Sequence, residues 1–162
     1  MVNEAVDEAR RLNKEMLLFK VDFEKAYDSV DLSYLDTVMH KMNFPTPWRK
    51  WMSECTGTAK TPVLVNGCPT DEFPMERGLC HGDPLSPFLF LLAAEGFNVL
   101  MLSTIEVGLF SGYHVGHENA LCLSHLQFAD DTLIIGEKSW ANVRSIRAVL
   151  MIFKQVSGLK VQ

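Results

Sequence analysis

Hydrophobic residues recur along the chain with helical spacing in some segments and with the alternating spacing of strands in others. Four segments either have apolar residues at helical spacing or are apolar throughout, and they begin near Val2, Asp31, Ser86 and Ser139. The last three start at residue types that cap helix N-termini. The segment after Ser86, FLFLLAAEGFNVLML, is apolar nearly all round, which predicts a buried helix. The pair Pro45 and Pro47 is expected to end the second helix, and Gly158 the last.

Strand-like segments alternate with these helices. Residues 17–23 form an apolar run that predicts a strand ending near Asp22. Further strands are expected over residues 61–66, 72–75, 109–115, 121–128 and 133–135. Gly67 and Pro69 separate the first two of these, which predicts a hairpin. Antiparallel strands covered by helices on one face make the predicted fold class α+β, in a single domain over residues 1–162.

Composition fits one compact domain with a substantial core, because 48% of the 162 residues are hydrophobic. The formal net charge of −5 argues against strong nucleic-acid binding by this chain alone, since affinity for phosphates comes mainly from Lys and Arg. The four cysteines form no CxxC pair and no signal peptide precedes them, so we expect no disulfides and an intracellular setting, nucleus or cytoplasm. The longest uncharged apolar stretch, residues 84–94, is shorter than the about 20 residues of a membrane span, so no membrane association is predicted.

Three aspartates lie within strand-like apolar segments, where an unpaired carboxylate is costly. Asp22 belongs to LLFKVDFEKAYDSVD, and Asp130 with Asp131 belongs to HLQFADDTLIIG, at a bend between two predicted strands. If the fold brings Asp22 close to Asp130, like charges about 4 Å apart repel by roughly 4 kcal/mol at an effective dielectric near 20, so a cation is expected between them. Magnesium is the natural candidate, since it takes oxygen ligands and few protein carboxylates. Taken singly, each aspartate has the simpler explanation of a helix cap or a solvated loop end.

Four longer motifs occur in a fixed order, KVDFEKAYDSVD, GLCHGDPLSPFLF, FADDTLI and SGLKVQ. Together they resemble the reverse transcriptases of non-LTR (LINE-type) retrotransposons, especially those of plants, from about residue 17 onward. The resemblance implies a polymerase palm with part of the fingers, which transfers deoxynucleotidyl groups from dNTPs to a DNA primer on an RNA template. It also implies two Mg²⁺ ions, for which Mn²⁺ is a substitute, and further fingers, thumb and endonuclease regions in a complete element.

Roles for individual residues follow from the matching motifs. The resemblance implies that Asp22 and Asp130 are the principal catalytic residues and metal ligands, with Asp131 beside them. Tyr27 is implied to be an aromatic floor under the incoming sugar, where its ring leaves no room for a 2′-hydroxyl. Nucleotide-binding positions are implied at Phe23, Tyr27, His81, Gly82 and Lys160. From the residues alone, core packing is the ordinary explanation for Tyr27 and a surface position for Lys160.

The second motif departs from the usual GLRQGDPLSP, because Cys80 replaces an arginine and His81 a glutamine. The first change removes a positive charge, and the second alters the donor and acceptor geometry near the nucleotide. Two alternatives therefore stay open. Beside an active reverse transcriptase, the chain is a non-catalytic remnant of a decayed element in the first alternative and another two-metal phosphoryl-transfer enzyme, such as a nuclease, in the second.

A zinc site is a separate alternative. One segment has the spacing HxxHxxxxCxxH, which suits a tetrahedral metal, at His114, His117, Cys122 and His125. The same segment is expected to form a hairpin, however, and strand alternation then sends some of these side chains to opposite faces.

Overall fold

The computed structural model describes residues 2–57, 64–65, 68–69, 77–79, 82–116 and 121–161. The helices are α1 (Val2–Leu12), α2 (Ala26–Ser29), α3 (Leu32–Lys41), α4 (Thr46–Gly57), α5 (Ser86–Glu106) and α6 (Trp140–Ser157). The strands are β1 (Met16–Val21), β2 (Phe23–Glu24), β3 (Leu64–Val65), β4 (Cys68–Pro69), β5 (Tyr113–Val115), β6 (Leu121–Leu123), β7 (His125–Phe128), β8 (Asp131–Glu137) and β9 (Lys160–Val161). Helices and antiparallel strands together confirm the α+β class.

The central sheet has the strand order β1-β8-β7, and both pairings are antiparallel. The β1–β8 ladder ends with Val21 opposite Thr132, and the β7–β8 ladder ends with Phe128 opposite Asp131. The two ladders therefore finish at the same end of the sheet.

Helical residues cover both faces of this sheet, whereas the sequence predicted helices on one face only. Ile134 lies on one face with His125, whose ring meets Phe97 of α5 edge-on at 5.9 Å. Ile135 lies on the other face, where it packs in a buried cluster with Ala5 and Ala9 of α1. Because Ile134 and Ile135 are both fully buried, the middle strand β8 is enclosed on both faces.

The chain divides into two compact units. Unit 1 comprises residues 1–23, 97–153 and 161–162, and contains the central sheet. Unit 2 comprises residues 24–96 and 154–160.

Unit 2 is held by caps and helix contacts. As predicted, Asp31 caps α3, where its Oδ1 accepts hydrogen bonds from the backbone N–H of Ser33 and Tyr34, both at 3.0 Å. The hydroxyl of Tyr34 donates to the carbonyl of Ala93 in α5 at 2.8 Å. That contact depends on Gly96, because a Cβ there would overlap the Tyr34 hydroxyl.

Helix α4 is absent from the sequence prediction, which treated Pro45 and Pro47 as a stop. Pro47 lies in the first turn of α4, where a proline loses no helical hydrogen bond. The aromatic ring of Trp48 then packs against Phe44 at 4.7 Å and Phe88 at 6.2 Å. A hairpin occurs here, but it pairs β3 with β4, so Pro69 belongs to a strand and not to the predicted separator. Residues 72–75, expected as the second strand, lie outside the described residues.

The prediction that the helix after Ser86 is buried is correct for only one of its faces. Phe90 and Met101 are fully buried, whereas Leu91 and Val99 are 51% and 54% exposed. By length and composition α5 also meets the requirement for a membrane span, as core helices of globular proteins often do. A row of apolar side chains on α5 thus remains in contact with solvent.

Candidate active site

The three candidate metal ligands lie at the end of the central sheet where both ladders finish. Asp22 follows the last residue of β1, Asp131 is the first residue of β8, and Asp130 is in the turn between β7 and β8. Continuing the β1–β8 register by one residue pairs Asp22 with Asp131. We call these three residues the acidic sheet end. Remote in sequence, they share one location in unit 1.

The turn that carries Asp130 is a two-residue hairpin connection formed by Ala129 and Asp130. Ala129 has a φ of 52°, in the left-handed region. Positive φ at the first turn residue is the feature of type II′ turns, whose twist matches that of antiparallel strands. The hairpin bend expected from the sequence is confirmed. It lets two consecutive aspartates escape the strict alternation of a straight strand.

Lys20 of β1 pairs with this end of the sheet, at 2.9 Å from its Nζ to Oδ1 of Asp131. The hydrogen bond and charge of Asp131 raise the pKa of the Lys20 ammonium, and the charges of Asp22 and Asp130 act in the same direction. Both partners are well exposed, at 62% and 57% of their side-chain surface. Lys20 is thus the cation on which the charges of all three carboxylates act, and it contacts Asp131 directly. Sequence reasoning missed it, although Lys20 and Asp22 have the spacing that puts side chains on one strand face.

A surface cavity of about 380 Å³ lies beside this ion pair. Lys20 and Asp131 line it together with apolar side chains that include Leu126, Phe128 and Leu133. Phe128 is 84% exposed, which is unusual for so large an apolar ring. Through Asp131, the acidic sheet end borders a concave surface lined by both charged and apolar side chains.

The chemistry of these donors fits a hard divalent cation, since all three supply carboxylate oxygens and all three are exposed. Among the described residues, no three His, Cys, Asp or Glu side chains are drawn together closely enough to hold a metal ion. The acidic sheet end therefore offers carboxylates of suitable chemistry that are not drawn into a three-ligand cluster, and the Lys20 ammonium is the cation beside Asp131.

Tyr27 lies in unit 2, on the short helix α2, and is half-buried. Its ring packs against Phe90 of α5 at a centroid distance of 5.1 Å. The second motif runs alongside, because the Leu79 N–H donates to the Tyr27 carbonyl at 2.8 Å and the Gly78 N–H to the Val30 carbonyl at 2.9 Å. First and second motifs are thus joined through their backbones around Tyr27.

Gly78 allows the backbone of the second motif to lie close to that of the first. Its φ is 93°, and an added Cβ would lie 3.1 Å from the Asp28 carbonyl oxygen. Gly82 also has a positive φ, 85°, but its Cβ position faces open space. Asp83 follows, and its Oδ1 accepts a hydrogen bond from the Leu85 N–H at 2.8 Å just before α5 begins. Cys80 and His81, the departures from the usual motif, lie outside the described residues.

Two further predicted nucleotide-binding residues differ in accessibility. Phe23 is 5% exposed and its ring packs on Phe153 at 5.9 Å, so only its backbone remains for a ligand. Lys160 is exposed on β9, after Gly158 ends α6 with a φ of 79°. Both roles stay predictions.

The zinc alternative receives no support from the residues that the structure describes. His114 and Cys122 are opposite one another in the β5–β6 hairpin. His125 is engaged elsewhere, with Nδ1 at 3.0 Å from the Ser124 hydroxyl and Nε2 at 3.1 Å from Oδ1 of Asn98. His117 lies outside the described residues. Cys55 and Cys122 are both free and exposed.

A comparison with family models matches residues 1–162 to the family described as reverse transcriptase (RNA-dependent DNA polymerase). The chain belongs to this family. One curated relative of this reverse transcriptase domain is the retrovirus-related Pol polyprotein of the type-1 retrotransposable element R2 of Popillia japonica. The two are 24% identical over 150 residues, which cover 92% of this chain and 20% of that polyprotein. It is 42% identical over 69 residues to an uncharacterised mitochondrial protein of Arabidopsis thaliana, covering 43% of the chain and 56% of that protein. The resemblance to retrotransposon reverse transcriptases is thereby confirmed.

Solved structures agree on the fold. The domain superposes on telomerase of Candida albicans, in complex with a fragment of telomeric RNA, with a TM-score of 0.68 and 9% identity, over 99% of this chain and 28% of that one. Apo telomerase of Candida tropicalis gives a TM-score of 0.64 and 11% identity, over 98% of this chain and 32% of that one. The reverse transcriptase domain therefore spans a third or less of the solved telomerase chains.

Proposed function

We propose that this domain is the palm, with part of the fingers, of a non-LTR retrotransposon reverse transcriptase that adds deoxynucleotides from dNTPs to a DNA primer on an RNA template. The acidic sheet end is its catalytic centre and holds two Mg²⁺ ions, or Mn²⁺ in their place. In the complete element, further fingers, thumb and endonuclease regions supply the grip on template and primer that a chain of net charge −5 lacks.

The observation that carries this proposal is the position of the three aspartates. Two ladders of one sheet end together, and Asp22, Asp130 and Asp131 occupy that end beside an exposed cavity. Asp31, by contrast, serves the fold by capping α3, whereas Asp22 and Asp130 lie at the sheet end and are not the N-cap residue of any described helix.

In this proposal Asp22 and Asp130 are the main ligands and Asp131 assists them. When bound, the two ions lower the pKa of an attacking hydroxyl and stabilise the charge of the leaving pyrophosphate. Tyr27 excludes the 2′-hydroxyl of a ribonucleotide from the sugar position. Lys160 provides positive charge, or a proton, for the pyrophosphate.

Primer extension on an RNA template tests the proposal, with the missing regions supplied in trans. We expect dNTP incorporation that needs Mg²⁺ or Mn²⁺ and falls to background in Asp130→Asn. Asp7→Asn is the matched control, because Asp7 is an exposed aspartate of the same unit on α1, and it should extend normally. Magnesium-dependent degradation of nucleic acid without synthesis would instead identify a nuclease.

The non-catalytic remnant remains the second candidate, and the altered second motif favours it. The double variant Cys80→Arg, His81→Gln restores the usual GLRQGD sequence. If Cys80 and His81 impair catalysis, the double variant should extend primers faster than the native chain, or extend them where the native chain shows no extension. Extension at the same rate by both would mean that the two departures are tolerated. Failure of both, with all regions supplied, would support the remnant.

A further inference from the structure

Strand geometry places Lys20 on the same sheet face as the carboxylate it binds. Lys20 is opposite Leu133, and residues that are opposite in an antiparallel pair share a face. Asp131 is two residues from Leu133 along β8, so it points to that face as well. The shared lining of the cavity by Lys20, Leu133 and Asp131 agrees with this assignment.

We propose that Lys20 is a built-in competitor of divalent metal ions at the acidic sheet end. The inference rests on the proposed metal-binding function. It gives a role to Lys20, a residue to which the family motifs assign none. In the metal-free protein the Lys20 ammonium neutralises part of the charge of the three aspartates. A divalent ion that takes the same oxygen of Asp131 must displace it.

Two properties suit Lys20 to temporary rather than permanent pairing. An ammonium on a flexible four-carbon stem forms a point contact, unlike the two-pronged contact of an arginine. The side chain is also 62% exposed, so water can solvate the ammonium after it leaves. A carboxylate oxygen held at 2.9 Å by an ammonium cannot at the same time coordinate an ion along that direction.

The chain contains a matched control for this ion pair. Lys138 Nζ lies 2.7 Å from Oε1 of Glu15, with 61% and 72% of the two side chains exposed. Glu15 immediately precedes β1 and Lys138 immediately follows β8, so this pair closes the other end of the same two strands. Replacing Lys138 removes the same charge and the same kind of contact, but away from the acidic sheet end.

The test is Mn²⁺ binding to the full 162-residue chain, measured from the free Mn²⁺ signal by electron paramagnetic resonance up to millimolar metal. Lys20→Met should bind Mn²⁺ more tightly than the native chain, by roughly two- to fivefold, the range for releasing one exposed ion pair. Lys20→Arg should bind no more tightly than native, because a guanidinium holds a carboxylate more firmly. Lys138→Met should match the native chain. Asp130→Asn should lose binding, which locates the ion, and circular dichroism checks that each variant is folded.

The outcomes separate this inference from the proposed function. Equal Mn²⁺ affinity of Lys20→Met and native chain, with loss in Asp130→Asn, would overturn the competition and leave the metal site standing. Weaker binding by Lys20→Met would also overturn it, since Lys20 would then help to organise the ligands. An equal gain in Lys138→Met would assign the effect to net charge alone. Absence of Mn²⁺ binding in every variant would remove both the competition and the metal site.

Discussion

Replacing Asp31 should destabilise the protein in a way that depends on the replacement and on pH. Asp31 Oδ1 accepts from two backbone N–H groups of α3 and from the Ser33 hydroxyl at 2.6 Å, and Arg77 Nε lies 3.8 Å from its Oδ2. Its backbone also binds the last turn of α6, through its N–H and the Ser157 carbonyl at 2.9 Å, but substitution leaves that bond intact.

The magnitude follows from these contacts. Loss of an N-cap costs about 0.5–2 kcal/mol, and a charged cap lies toward the upper part of that range, so Asp31→Ala should lower the free energy of unfolding by about 1–2 kcal/mol at pH 7. Asparagine caps helices about as well as aspartate, so Asp31→Asn should cost less than half as much. With a urea dependence of about 2 kcal/mol per molar, the Asp31→Ala midpoint falls by about 0.5–1 M.

The pH dependence has a defined sign. Partial burial acts to raise the pKa of Asp31, but the hydrogen bonds from Ser33 and Tyr34 and the charge of Arg77 outweigh it and hold the pKa below its usual value of 3.8. A carboxyl with a lowered pKa in the folded state stabilises the protein above about pH 4, and this contribution is lost as pH falls through the folded value. The difference in stability between native chain and Asp31→Asn should therefore shrink below about pH 4.

Urea unfolding followed by far-ultraviolet circular dichroism, at pH 7 and at steps down to pH 3, measures both effects. Glu15→Ala is the control, because it removes an exposed carboxylate that caps no helix, and it should change stability by at most about 0.5 kcal/mol. The reasoning is refuted if Asp31→Ala unfolds at the native urea concentration at pH 7, or if Asp31→Asn is as destabilising as Asp31→Ala.

Three further substitutions test the site and its support. Asn142→Ala should cost about 2–4 kcal/mol in urea unfolding, because the buried amide makes three hydrogen bonds of 2.8–2.9 Å with the backbones of Ser111 and Glu137; a cost below 1 kcal/mol would contradict this. Gly78→Ala should cost about 1–2 kcal/mol, since its φ of 93° and the nearby Asp28 carbonyl disfavour a side chain, and unchanged thermal unfolding would argue against the constraint. In a complete enzyme Tyr27→Ala should raise ribonucleotide incorporation selectively and Tyr27→Phe should not, as measured by single-nucleotide extension with rNTPs and dNTPs; equal sugar discrimination in all three would exclude the steric role.

Local signals in the sequence predicted the parts of the site that depend on neighbouring residues. Asp31 and Ser139 cap their helices as expected, and the Ser139 hydroxyl accepts from the Asn142 N–H at 3.1 Å. The strand before Asp22 and the bend at Asp130 are also confirmed. Each of these features is decided within a few residues by side-chain type and spacing.

Features that depend on distant partners were not predictable in the same way. On α6 the apolar Val143 is 40% exposed, whereas the polar Asn142 is buried and hydrogen-bonded to the remote Ser111. The contact of Lys20 with Asp131 likewise depends on the register of β1 against β8, which the sequence alone leaves open. Helix α4 was missed because a proline at the start of a helix and a proline after one look alike in sequence.

The interleaving of the two units has a consequence for synthesis of the protein. Residues 154–160 complete unit 2, which otherwise consists of residues 24–96. Unit 1 consists of residues 1–23, 97–153 and 161–162, so each unit is built from separated segments. Neither unit is one continuous segment of the chain. Neither can therefore finish folding while the ribosome is still translating the other. Nascent chains arrested before residue 154 should therefore leave unit 2 incomplete and exposed to chaperones and proteases until the last helix has emerged.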